Sequence, residues 1–284
     1  MDLKTKLKEL RPTLSNSSIT TYNSILKNLH KRIFDNKDME LNDFHDTETV
    51  LAHLQDIPAN RRKTILSALT VLTALPEYRE KMLDDIQTYT TEIAKQEKTK
   101  TQQENWLEPE VLKEKLEQHK KNAALLYRKK MFTDKDLQEI QNYILLVIYS
   151  GLYIPPRRAK DMVDFKIADI DKDKDNYLDK GNMIFNSYKT SAKYGQQKVA
   201  LPLPMRNILK KWIAVNPTNY LLFDNNEAPL TSVKLNQRLN KIFGKKISVN
   251  AMRHTYLSEK YKGIGQDLNN MGTSMNMAST YIKK

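Results

Sequence analysis

Residues 133–152, TDKDLQEIQNYILLVIYSGL, limit most strongly what this chain can fold into. A threonine followed three positions later by an acidic residue is a helix-capping pattern, so a helix is predicted to start at Thr133. Its second half is strongly apolar, and such a helix has to be enclosed by other elements rather than laid on a surface. The lipid bilayer is not the enclosure. The apolar run 144–154 is interrupted by Tyr149, Ser150 and Gly151 and is far shorter than the ~20 apolar residues of a span. The rest of the chain must therefore supply the core. At 284 residues the chain exceeds a typical single domain of roughly 100 to 200, and two domains are expected. Hydrophobic residues make up 39%, while 7 Gly and 10 Pro are too few turn residues for an all-β protein. The reading is a soluble, mainly α protein with a small β-sheet, α+β in class.

The first hundred residues read as a small helical bundle. Ile19, Tyr22, Ile25, Leu26, Leu29 and Ile33 recur at three- and four-residue steps, with Ser17 or Ser18 as candidate N-cap. A second helix is predicted over 60–75 and stopped by Pro76, and a third runs through Tyr78, Met82, Ile86, Tyr89 and Ile93. The cluster Arg61, Arg62, Lys63 is either a solvated helix face or a phosphate contact. Residues 94–105, AKQEKTKTQQEN, are polar and aperiodic, the composition of a linker or an exposed helix end, so the domain division is drawn as 1–100, a linker at 101–107, and 108–284. After the buried helix, 177–186 and 197–203 read as a hairpin that turns at Tyr194 and Gly195. Helices are predicted after Pro204, over 231–243 and over 248–261, with short ones to the end.

Charge narrows the partners. Lys plus Arg number 47 against 34 Asp plus Glu, a formal net charge of +13, which favours a polyanion, nucleic acid ahead of an anionic membrane. The start, MDLKTKLKELRP, has no apolar signal core and the chain has no cysteine. Both fit an intracellular protein, in the nucleus or at a site of viral or mobile-element DNA replication in a eukaryote, or in the cytoplasm or nucleoid of a prokaryote. No cofactor is implied. A metal site is not expected, because His30, His45, His53, His119 and His254 show no paired ligand spacing and DKDKD at 171–175 lacks the Gly and closing Glu of a calcium loop.

No single residue is diagnostic, but four segments of the second half occur in a telling order. SGLYIPPRRAKDMVDFKIADI carries Arg158 with Asp161 three positions on and Asp169–Ile170 beyond it. NSYKTSAKYGQQKVALPLP carries Lys189, with Lys193 as reserve. ISVNAMRHTYLSEKY carries Asn250, Arg253, His254 and Thr255, and NNMGTSMNMASTYIKK carries Met271, Gly272, Thr273 and Tyr281. This series resembles the catalytic domain of the tyrosine recombinase (integrase) superfamily, and its YIPPRR form looks like integrases of large DNA viruses and their satellites. SSITTYNSILKNL is similar, more generically, to that family's helical core-binding domain. The resemblance implies a C-shaped clamp on double-stranded DNA, a homotetramer on two DNA sites, and no metal. It further implies that Tyr281 is the nucleophile, Arg158 and Arg253 the phosphate ligands, and Lys189 the general acid.

The departures from the pattern are specific. YIPP is inserted before the arginine pair, which leaves Arg157 as a substitute for Arg158. Asn250 and Thr273 stand where the family has its histidines, and an amide cannot shuttle a proton although it can donate a hydrogen bond to a phosphate oxygen.

The residue types suit the chemistry. A phosphodiester is anionic, so catalysis rests on positioning and on neutralising its non-bridging oxygens. Guanidinium forks do this while staying protonated. A tyrosine, with a reference pKa of about 10, must lose its proton as it attacks, and a lysine can protonate the departing 5′ oxygen. Each residue also has an ordinary reading: Tyr281 as a packing aromatic, the arginines as surface charge, the lysines as guards of a strand edge, and His254 and Asp161 as supporting groups that orient a helix or hold an arginine. Three functions therefore stand side by side: a site-specific recombinase, a DNA-binding module that does not cut, and a type IB topoisomerase.

Overall fold

The computed structural model describes residues 2–35 and 38–272. The chain divides into two compact units, Met1–Lys98 and Thr99–Lys284. It is mainly helical, with a three-stranded antiparallel sheet.

The first unit comprises α1 (Leu3–Leu10), α2 (Asn16–Ile33), a 3-10 turn at Leu41–His45, α3 (Thr47–His53), α4 (Ala59–Thr73) and α5 (Pro76–Ala94). Helix α2 begins a little earlier than the serine pair suggested, because the extended backbone of Ser15 lets its hydroxyl accept the Ser18 N–H at 3.1 Å. Pro76 does more than stop α4. Ala74, at φ 58°, reverses the chain, and Pro76 then opens α5 at a position where no N–H is required. Leu66, Leu69 and Leu72 of α4 pack with Leu3, Leu7, Leu26 and Leu29 into one core. The Tyr78 hydroxyl donates to the Phe44 carbonyl at 2.7 Å inside that core, and burial raises the phenol pKa.

The second unit comprises α6 (Lys100–Glu104), α7 (Pro109–Leu126), α8 (Asp134–Tyr149), β1 (Tyr177–Asp179), β2 (Asn182–Phe185), α9 (Ser191–Tyr194), β3 (Gln197–Ala200), α10 (Leu203–Ile213), α11 (Ser232–Phe243), α12 (Val249–Lys260) and α13 (Ile264–Asn270). Helix α8 is its axis. Thr133 and Asp136 form a reciprocal capping box, and every residue from Tyr143 to Tyr149 is buried. Helices pack on several sides of it. Gln141 of α8 accepts hydrogen bonds from the Phe223 backbone and from Arg238 of α11 at 3.0 and 3.1 Å, and His119 of α7 meets Glu139 of α8 at 2.7 Å.

The segment 101–107, drawn as a linker, overlaps α6, a short helix with no buried residue that starts in a Thr99–Gln102 capping box. Leu107 beyond it is fully buried, and its carbonyl accepts the Thr255 hydroxyl at 2.8 Å. The polar composition concealed this because α6 is exposed and Leu107 alone carries the burial. Residues 177–186, taken as one strand, form two. Asp179 pairs with Asn182 across a two-residue turn in which Lys180 (φ 44°) and Gly181 (φ 79°) are both left-handed, a geometry that matches the twist of a hairpin. The sheet order is β1-β2-β3, with Phe185 opposite Gln197 at its last rung. Among the described residues no helix is long and apolar enough to cross a membrane.

Candidate functional site

A cleft of about 310 Å³ in the second unit gathers Arg157, Arg158, Asp161, Tyr188, Thr190 and Arg253 among its lining residues. Three stretches of chain build it: the loop after α8, the connection between β2 and β3 together with β3 itself, and α12.

The loop leaves α8 through Gly151. At φ 76° this glycine lies so close to Tyr256 of α12 that a Cβ would come within 2.3 Å of the ring. Ile154 is buried, Pro155 and Pro156 fix the next backbone steps, and the two arginines follow. Arg158 caps a 3-10 turn at Ala159–Asp161. Asn176, buried, holds that turn by donating to the Asp161 carbonyl at 3.0 Å and to the Ser187 carbonyl at 2.7 Å, while its own oxygen accepts the backbone N–H groups of Asn186 and Ser187.

The neighbouring arginines are not equivalent. Arg157 donates from Nε to Asp161 Oδ2 at 3.1 Å and from a terminal nitrogen to Gln197 Oε1 at 2.9 Å. Its guanidinium lies 3.9 Å from the Phe185 ring centre and 5.2 Å from that of Tyr188. Among the described residues, no hydrogen bond or ion pair engages the guanidinium of Arg158 or of Arg253. Both are half-buried at the cleft, and a guanidinium fork is of the type that can donate paired hydrogen bonds to an anion. Asp161 was expected, on its ordinary reading, to hold an arginine, without either neighbour being singled out. The carboxylate takes Arg157.

Helix α12 carries Arg253. Ser248 caps it, Val249 and Met252 anchor it in the core, and Thr255 ties it to Leu107. Beneath the cleft the fully buried Tyr149 has its phenol pKa raised, chiefly by burial and secondly by the negative charge of Asp161, with Arg253 acting in the opposite sense. The Tyr149 hydroxyl and Asp161 Oδ1 have no hydrogen-bond partner among the described residues.

Lys189 is exposed, between the cleft-lining Tyr188 and Thr190. Its segment is a folded connection rather than a simple turn: α9 fills it, and the Tyr188 hydroxyl closes it by donating to the Gly195 carbonyl at 2.7 Å. Lys193 is exposed, its ammonium 5.2 Å from the Tyr194 ring centre. Asn250 and His254 are exposed on α12 and are not among the cleft-lining residues. Thr273 and Tyr281 lie outside the described residues.

Sequence reading missed Gln197, Tyr188, Thr190 and Asn176. The first three flank or follow Lys189 in the same motif, so proximity to that lysine was the available signal. Asn176 sits in a polar turn and gave none. In the first unit, Arg62 is not on a solvated face, for it forms a two-pronged pair with the buried Asp85 at 2.7 and 2.8 Å. Lys63 lies over the Tyr89 ring at 3.3 Å and Arg61 is exposed. Among the described residues no group of His, Cys, Asp and Glu could hold a metal ion. No protein-family model matches the chain, and no curated protein matches it.

Proposed function

We propose that this protein is a tyrosine recombinase that cuts and rejoins double-stranded DNA through a covalent 3′-phosphotyrosyl intermediate. The observation that carries the reading is that two guanidiniums with no hydrogen-bond or ion-pair partner among the described residues, Arg158 and Arg253, share one cleft beside the connection that bears Lys189. The segments with the resemblance lie far apart in sequence, and a cleft lined by three of them, with its arginines drawn from two, supports their reading as one site. The chain's net charge of +13 supports a DNA partner.

In the proposed reaction Arg158 and Arg253 neutralise the non-bridging oxygens of the scissile phosphate. The Tyr281 phenol releases its proton to water as its oxygen bonds to phosphorus, the bond to the 5′ oxygen breaks, and the Lys189 ammonium gives that leaving oxygen a proton. The ester conserves the energy of the broken bond, so attack by a 5′-hydroxyl rejoins DNA without ATP. Strand exchange on two sites calls for four protomers, which belongs to the same proposal.

One observation favours a second reading. Asn250 and Thr273 occupy both family histidine positions, as they would in a module that holds DNA without cutting it. The two readings part on a nicked duplex in EDTA. The recombinase forms an adduct that survives denaturation, and Arg158→Ala or Arg253→Ala removes it while DNA is still bound; strong binding with no adduct from the unaltered protein selects the module.

A further inference from the structure

Arg157 stands next to the proposed phosphate ligand but spends its donors inward. Its Nε is taken by Asp161 and a terminal nitrogen by Gln197, and its planar face is covered by Phe185 and Tyr188. Phe185 ends β2, Gln197 begins β3, and the two face each other at the last rung of the ladder. Tyr188 immediately precedes Lys189. A single guanidinium therefore grips both ends of the connection that carries Lys189, and the carboxylate that orients it is almost wholly buried beside the cleft.

We propose that Arg157 is a positioning residue that sets Lys189 against the leaving oxygen of the scissile phosphate, while Arg158 contacts the phosphate itself. The inference rests on the recombinase reading and deepens it. A surface lysine on a connection of eleven residues, 186–196, has many positions open to it. Fixing the sheet rung and the aromatic ring beside it restricts that choice, and proton donation depends on such placement. Arg157 thus acts through Lys189 rather than on the phosphate.

The leaving group provides the test. In a duplex whose bridging 5′ oxygen is replaced by sulfur, attack by Tyr281 breaks the P–S bond and the electron pair leaves as a thiolate that needs no proton. A defect in proton donation is then bypassed, whereas a defect in phosphate binding or folding is not. Adduct rates are measured for the full chain on nicked duplexes with the ordinary and the sulfur bridge. Gln197→Ala leaves the Arg157–Asp161 pair intact and guards against the chance that Arg157→Lys fails to fold.

On the ordinary bridge both variants, like Lys189→Ala, are expected to be slowed roughly tenfold or more. On the sulfur bridge they recover to within about twofold of the unaltered protein, and Arg158→Ala does not recover. Equal slowing of Gln197→Ala and Arg157→Lys on both bridges, with the unaltered protein active, overturns the positioning role and leaves the recombinase reading in place. No adduct from the unaltered protein on either bridge overturns both.

Discussion

Asp85 and Asp161 are both buried carboxylates held by an arginine, one in each unit, and they show how context divides one chemistry into two roles. Asp85 pairs with Arg62 among helices α4 and α5 and serves the core. Arg62→Ala leaves that charge buried without its partner and should destabilise the first unit by about 3–5 kcal/mol, read as a lower urea midpoint. Asp136 offers a prediction in pH. The Lys129 ammonium, then the Thr133 backbone N–H, hold its pKa down at about 2. Because the folded value lies below the unfolded one, its stabilisation is present above about pH 4 and is lost as pH falls toward about 2. Asp136→Asn should therefore be less stable than the unaltered protein at pH 7, with the gap closing over that acid range in denaturation curves. A gap that stays constant down to pH 2 would contradict this.

At the scale of elements, Gly151 is where helix packing meets the candidate site. It lets α12 close on the end of α8, and α12 carries Arg253. Gly151→Ala combines a left-handed backbone with a clash against Tyr256 and should cost on the order of 1–3 kcal/mol in the second unit, seen as a lower Tm together with weaker DNA binding. The helices with clear periodicity or caps, α2, α4, α5, α8, α11 and α12, were legible because their apolar stripes and their serine and threonine caps act locally. Helix α7 was not foreseen although Leu112 and Leu116 sit four apart, since the charged residues between them dilute the stripe. The tight turn at Lys180–Gly181 carried a local signal in Asp179, Gly181 and Asn182, which was outweighed by the strand-favouring residues on either side, Tyr177 and Leu178 before it and Met183, Ile184 and Phe185 after it. At the site, the motif order singled out Arg158 and Arg253, which line one cleft, and Lys189, which is exposed between two cleft-lining residues. The pairing of Arg157 with Asp161 and Gln197 was not legible, because it joins residues up to 40 positions apart through the sheet.

For the whole molecule the governing quantity is charge. A protein with 47 basic residues that neutralises several phosphates should lose affinity steeply with salt, with a log–log slope near −0.9 per phosphate contacted, measurable by anisotropy of a labelled duplex. A flat response would sink every DNA reading at once. Relaxation of supercoiled plasmid without exchange between two sites would point instead to a type IB topoisomerase with the same bond chemistry. The central claim is that a protein tyrosine takes the DNA strand, and trapping the protein on a nicked duplex in EDTA, digesting the DNA and locating the residual nucleotide by mass spectrometry tests it most directly. The expected result is a 3′-linked nucleotide on the peptide that contains Tyr281, absent from Tyr281→Phe; a nucleotide on another residue, or bound DNA with no adduct, would contradict it.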